Sequence, residues 1–265
     1  MRCLAITGGK GGVGKSNLSV NLALELGKLG DRIGLLDADF GLANADLLCG
    51  VTPKFHLGHV VAGTKTVGDI KIELAEKVTL IPGGSGVEEL ANFSLASRPN
   101  IYSQLMEMER ELDFMLIDTA AGIAENVMGV LTSAGEVIVV VTPDPTSIVD
   151  AYATIKVILR NSPTKPISVV VNNVVGIGDA EHVFQQINSA AKTFLNYKIE
   201  FLGMVPSDAG VPEAIRELTP IVQFKPDSPA SRAIRLIAKH LHQQSQKESI
   251  SPIKVQSFWN SLANN

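Results

Sequence analysis

Short runs of β-branched and aliphatic residues recur along the chain, and stretches with apolar positions at helical spacing lie between them. The strand-like runs occupy residues 3–7, 32–37, 78–82, 114–118, 137–142, 167–172 and 200–205, with a short eighth, IVQF, at 221–224. Helical patterns fill 15–29, 101–112, 124–132, 147–159, 180–195 and 229–242. Strands separated by helices of this length predict right-handed crossovers and a mainly parallel sheet. The expectation is one α/β domain over 1–242, with a seven- to eight-stranded sheet flanked by helices. In such a sheet ligands collect at the carboxyl ends of the strands. The glycine loop, DADFG, DTAAG, TPDPT, NN and PSD each follow a strand-like run, so the chemistry-bearing residues lie where that rule puts them.

The pattern changes near the end. Residues 243–254, QQSQKESISPIK, are polar, contain a proline and read as a linker. In 255–265, Val255, Phe258, Trp259 and Leu262 recur at i, i+3, i+4 and i+7, the stripe of a short amphipathic C-terminal helix. Such a segment fits a membrane surface. Its polar face is nearly uncharged, so folding back on the domain or docking on a partner stands beside that reading.

Composition narrows the class. The chain has 265 residues, 45% hydrophobic and 19% charged, enough for one large domain with a substantial core. Aromatics are 5%, so the core is aliphatic, as in a parallel sheet covered on both faces. A net charge of −4 argues against general attraction to nucleic acid. The two cysteines make neither a disulfide framework nor a metal cluster, and fit reduced thiols in the cytoplasm. The N-terminus lacks the apolar stretch of a signal peptide, and VIVVV at 137–141 is too short to span a bilayer.

GGKGGVGKS follows the first strand and opens the first helix. Gly9, Gly14, Lys15 and Ser16 satisfy the phosphate-loop spacing G-x-x-x-x-G-K-[ST]. The backbone N–H groups of the loop through Gly11, Gly12, Val13 and Asn17 can wrap a diphosphate, helped by the positive end of the helix. Lys15 would reach the β and γ phosphates, and Ser16 would ligate Mg²⁺. Asp118, ending FMLID, is placed for the metal's second protein contact. Asp37 and Asp39, in LLDADFG, sit on the same side of an extended chain. One would face the phosphates while the other supports it, and Asp39 is the choice for orienting the attacking water. The histidines of HLGH, at 56 and 59, read as surface or loop-packing residues, and MEMERELD as a solvated helix face with its methionines inward.

The pattern leaves Lys10 unexplained, since one lysine satisfies it. KGGVGKS with that early lysine, DADFGLANAD, DTAAGI and GMVPSD together resemble the MinD/ParA group of deviant Walker A ATPases over about 1–242. The resemblance implies ATP and Mg²⁺ as cofactors and an ATP-dependent homodimer. In it Lys10 reaches the partner's nucleotide as an arginine finger would in trans, and catalysis rests on Lys10, Lys15 and Asp39. It places the adenine edge against Asn172 or the adjacent Asn173, with Pro206 and Asp208 as further contacts. LLDADFGLANAD and VVTPDPTSIVDAYATIK look most like the flagellar number-and-placement branch, FlhG (FleN/YlxH), with MinD-like division-site placement second. That branch implies a slow ATPase in the cytoplasm, reversibly associated with the inner membrane. Its partners would be the FlhF GTPase or flagellar basal-body and regulatory proteins. The chain opens at the first strand without the D-Q-A-x-x-L-R type motif many FlhG proteins use on FlhF, so that activation is not implied. ParA-like DNA partition is disfavoured by the acidic balance. A monomeric metabolic enzyme would need a second substrate pocket, for which no motif is visible.

Overall fold

The computed structural model describes residues 1–40, 43–84 and 99–248. The strands are β1 (Arg2–Thr7), β2 (Ile33–Ala38), β3 (Ile72–Ala75), β4 (Val78–Ile81), β5 (Phe114–Thr119), β6 (Glu136–Val141), β7 (Ile167–Val174) and β8 (Glu200–Pro206). They form one eight-stranded sheet in the order β3-β4-β2-β5-β1-β6-β7-β8. Among the described residues every pairing is parallel except that of β3 with β4. The helices are α1 (Lys15–Lys28), α2 (Ala45–Leu48), α3 (Leu57–Val61), α4 (Val67–Ile70), α5 (Pro99–Arg110) and α6 (Glu125–Ser133). The chain continues through α7 (Pro145–Asn161), α8 (Ile177–Leu195), α9 (Gly210–Arg216), α10 (Ile221–Phe224) and α11 (Pro229–Glu248).

The sheet is covered on both faces, as its aliphatic strands require. Successive side chains of a strand point to opposite faces. Leu4 and Ile6 of β1 therefore join a core with α1, α9, α10 and α11, while Cys3 and Ala5 join the core beneath α3 to α8. Both cores are dominated by Leu, Ile and Val, and β1, β2 and β5 are buried along their whole length.

One expected strand fails, and another strand went unpredicted, for the same reason. The predicted eighth strand at Ile221–Phe224 is helix α10. Pro220 precedes it, Ile221 and Val222 are buried, and Asn21 Oδ1 on α1 accepts from the Val222 N–H at 3.1 Å. The true eighth strand is β3, a half-exposed edge strand turning into β4 through Lys77 at φ 67°. Periodicity does not separate strand from helix in an apolar run of four residues. The short helices α2, α3, α4 and α9 also fall where no element was predicted.

The last helix runs on through residues 243–248, the first part of the segment read as a linker. Gln244 explains the extension: it accepts from Arg2 at 3.1 Å and donates to Glu200 at 3.1 Å. Arg2 also donates to the Leu241 carbonyl at 2.9 Å and, through two nitrogens, to Glu136 at 2.8 and 2.7 Å. His242 pairs with buried Asp31 at 2.7 Å. The tail stripe Val255, Phe258, Trp259 and Leu262, and the predicted helix that carries it, lie outside the described residues. Among the described residues no helix is long and apolar enough to cross a membrane.

Candidate functional site

The glycine loop joins β1 to α1 and is shaped by two close approaches. Gly14 has φ 94°, and a Cβ there would lie 2.3 Å from Asn172 Nδ2. A Cβ at Gly9 would lie 2.3 Å from the Asp150 carbonyl carbon on α7. By contrast, nothing stands within 4 Å of where a Cβ of Gly11 or Gly12 would be. The loop is pinned at both ends and open in the middle, which is the shape a phosphate cradle needs. Val13 is buried behind it, and its carbonyl accepts from Asn172 Nδ2 at 2.8 Å.

The two lysines of the loop part company. Lys15 is buried, 8% exposed, at the start of α1. The Lys10 side chain is 44% exposed, and its amine meets Thr146 Oγ1 at 2.8 Å and Asp144 Oδ2 at 3.3 Å. Hydrogen bonds from the Thr146 hydroxyl and N–H, and from Lys10, hold the Asp144 carboxyl at about 2.

Behind the cradle, β2 and β5 place Asp37 and Asp118 side by side in register. Asp118 is fully buried and accepts from Ser19 at 3.1 Å and from Ser16. Its Oδ2 is buried without a hydrogen-bond partner, as is Thr7 Oγ1 at the end of β1. Burial pushes the Asp118 carboxyl up to about 6, against the Ser16 and Ser19 hydrogen bonds and the charge of Lys15. A buried, under-satisfied carboxylate oxygen beside a serine hydroxyl suits Mg²⁺, which takes one or two protein oxygens and completes its shell with phosphate and water. Ser16 and Asp118 fit that role. Ser19, one turn along α1, is a support sequence reasoning missed, although its i+3 spacing from Ser16 was legible.

Asp37 supports the turn that follows β2. Asp37 accepts from the N–H groups of Asp39 at 3.1 Å, Asn44 at 3.1 Å and Ala45 at 3.0 Å. It thus organises the chain that carries Asp39, which is half-buried. Burial, with the Asp118 charge beside it, pushes the Asp37 carboxyl up to about 7.

These two shifts predict a pH effect. Both carboxyls are raised above their ordinary 3.8 in the folded chain, so folding favours their protonated form. The stability they contribute is fully present below the unfolded pKa and is lost as pH rises through about 6 to 7. Without nucleotide and with a chelator, the melting temperature should fall by several degrees between about pH 5 and about pH 8. Asp37→Asn should flatten the decline, and a profile equally steep in that variant would locate the effect elsewhere.

A cavity of about 440 Å³ opens beside the cradle. Gly12, Gly14 and Asn17 line one side; Asn172, Asn173, Pro206 and Asp208 line the other. The volume suits a small-molecule ligand. The fold therefore brings the predicted base-pocket residues against the phosphate loop. Asn172 spends one amide hydrogen on Val13, while Asn173 is exposed at φ 58°, so both face the cavity in different ways. The Asp208 carboxylate accepts from the N–H groups of Gly210 at 2.8 Å and Ala230 at 3.0 Å, fixing the starts of α9 and α11. Val211, Pro212 and Ile215 complete an apolar wall that sequence reasoning missed. Their sequence carries no pocket signal, because helix α9 was itself not predicted.

The remaining expectations are local. His56 caps α3, accepting from the Gly58 N–H at 3.2 Å, while His59 accepts from the His56 N–H at 3.3 Å. In MEMERELD, Met108 is buried as expected, but Glu109 is buried too.

Residues 4–221 match the family described as the CobQ/CobB/MinD/ParA nucleotide binding domain. The antiactivator FleN of Pseudomonas aeruginosa is 36% identical over 90% of this chain and 85% of its own length. The flagellum site-determining protein YlxH of Helicobacter pylori is 34% identical over 89% of this chain and 80% of its own. In fold, the septum site-determining protein MinD of Pyrococcus horikoshii, solved with Mg-ADP, superposes with a TM-score of 0.76 at 24% identity, covering 96% of this chain and 99% of that one.

Proposed function

The chain belongs to the CobQ/CobB/MinD/ParA nucleotide-binding family, and from that membership we propose that it is an ATP-hydrolysing switch that pairs on ATP and acts in flagellar number and placement. The observation that carries the reading is the division of the two loop lysines. Lys15 is buried at the cradle, whereas Lys10 stands half-exposed at its rim. Lys15 serves the chain's own phosphates, and Lys10 serves those of a second copy. Pairing then depends on the γ-phosphate, and turnover depends on pairing.

The parts act as follows. The loop's backbone N–H groups and Lys15 bind the phosphates. Ser16 and Asp118 hold Mg²⁺, which neutralises charge on the phosphates when bound. Asp39, presented by the Asp37-organised chain, orients the attacking water. Exposed Ile123, Val149, Val175 and Ile177 follow the carboxyl ends of β5, β6 and β7, as the cradle follows that of β1, and supply apolar area for the second copy. Asn172, Asn173, Pro206 and Asp208 surround the base.

The names of the relatives at 36% and 34% identity support the flagellar branch, and MinD-like division-site placement is the second reading, since the septum site-determining protein MinD of Bacillus subtilis is 29% identical over 90% of this chain. FlhF or other flagellar regulators are the proposed partners. The tail stripe attaches the chain to the cytoplasmic face of the membrane. One tail binds marginally, and a pair gains avidity because the second binds at the high effective concentration set by the first.

One experiment joins these claims. Asp39→Ala should lower turnover by about 10²-fold or more, as expected when water is no longer oriented, while an ATP-bound dimer persists in size exclusion and sediments with anionic liposomes. Adding Trp259→Glu should abolish sedimentation and leave the dimer. Loss of the dimer with turnover would make Asp39 structural, and equal sedimentation with ADP would uncouple ATP from the membrane.

A further inference from the structure

The last helix turns one face inward and keeps the other in water. Ile234, Ile237, Ala238 and Leu241 of α11 are buried against α1 and β8. The seating is close: a Cβ at Gly203 of β8 would lie 2.8 Å from Ile237, and Arg235 is tied to Glu25 on α1 at 3.0 Å. The opposite face is therefore fixed toward solvent. Along it Arg232, Leu236, Lys239, Gln243 and Lys247 recur at i, i+4, i+7, i+11 and i+15, and all five are exposed. Leu236 is 67% exposed, and among the described residues no carboxylate pairs with Arg232, Lys239 or Lys247. The helix carries no acid before its last residue, Glu248. Of the carboxylates on the elements around it, Glu25 and Asp31 are buried in pairs with Arg235 and His242, while Glu200 meets His240 and Gln244. Asp227, exposed ahead of the helix, gives Arg232 its backbone carbonyl.

We propose that this outer face of α11 is a second contact with the membrane surface, its cations binding anionic lipid headgroups and Leu236 entering the headgroup layer between them. The proposal rests on the membrane reading above and supplies what the tail stripe lacks. That stripe is apolar, but its polar face is nearly uncharged. Val255 follows Glu248 by seven residues, no more than about 25 Å of chain, so stripe and helix face can meet one patch of membrane. The stems of Lys239 and Lys247 can lie along apolar surface while their amines reach phosphate. Leu236 favours lipid over nucleic acid, whose phosphate backbone gives an apolar side chain nothing to enter.

The test uses the full chain with Mg²⁺ and a non-hydrolysable ATP analogue, sedimented with vesicles of phosphatidylcholine with or without phosphatidylglycerol. Lys239→Gln with Lys247→Gln removes two charges and keeps good helix formers. At low salt this double variant should bind the mixed vesicles about ten-fold or more weaker, the scale of two cations leaving an anionic surface. Its ATP-dependent dimer in size exclusion should be unchanged. Lys239→Arg with Lys247→Arg should bind as the wild type does. Leu236→Gln should weaken binding by about three-fold, as partial insertion of one apolar side chain implies. In about 0.5 M salt the wild type and the Gln double variant should converge. Equal binding of those two at low salt overturns the proposal, as does wild-type binding that ignores phosphatidylglycerol. So does unchanged binding in Leu236→Gln, which would leave only diffuse attraction. Retention on duplex DNA that the Gln double variant loses, while its vesicle binding stays, would assign the face to nucleic acid and overturn the proposal. No wild-type binding to either vesicle overturns the membrane reading and this proposal together, whereas binding that Trp259→Glu abolishes and the Gln double variant keeps overturns the α11 face alone.

Discussion

Lys10→Ala is expected to cut the ATP turnover of the paired chain by about 10³-fold, while ATP binding by the single chain stays within about two-fold. The magnitude is the lower end of what a cationic finger supplied in trans contributes to phosphoryl transfer. The asymmetry follows from where the side chain lies. Lys10 is half-exposed and its contacts are on α7, at Asp144 and Thr146, so its removal takes nothing from the chain's own cradle. What is lost is the charge presented to a second copy. Single-turnover hydrolysis beside a fluorescent-nucleotide titration separates the two quantities. Turnover near the wild-type value in a variant that still pairs would remove the trans role.

The opposite split is expected for Lys15→Ala. Nucleotide affinity itself should fall by about 10²-fold, the scale of a lost charge-assisted contact to phosphate. Two features of the site push the loss upward. Lys15 is buried, so no water replaces its ammonium at full strength. Asp37 and Asp118 lie behind the cradle, and the Lys15 charge works against the rise in the Asp118 pKa. Without that charge, two buried carboxyls face the incoming phosphates with one cation fewer between them. Equilibrium titration with ATP and ADP at saturating Mg²⁺ reads the effect. If Lys15→Ala bound ATP normally while Lys10→Ala did not, the assignment of the two lysines would be reversed.

The sequence by itself determined the cradle. Gly9, Gly14, Lys15 and Ser16 are fixed by spacing within one loop, and the strand before it and helix after it are visible as local periodicity. The parallel α/β plan was legible for a similar reason, because long aliphatic runs and the helices between them leave few topologies. Tertiary structure decided what depends on contact between distant segments. Lys10 finds Asp144 across 134 residues, and Asn172 meets Val13 across 159. Asp37 supports the turn after β2 because it receives the N–H groups of Asn44 and Ala45, a turn no local pattern announced. IVQF becomes helix α10 because Asn21 on α1 accepts from its backbone, and β3 becomes a strand because β4 offers it an edge. In short apolar segments local preferences lie within about 1 kcal/mol of each other, so packing and hydrogen-bond partners elsewhere in the chain choose between them.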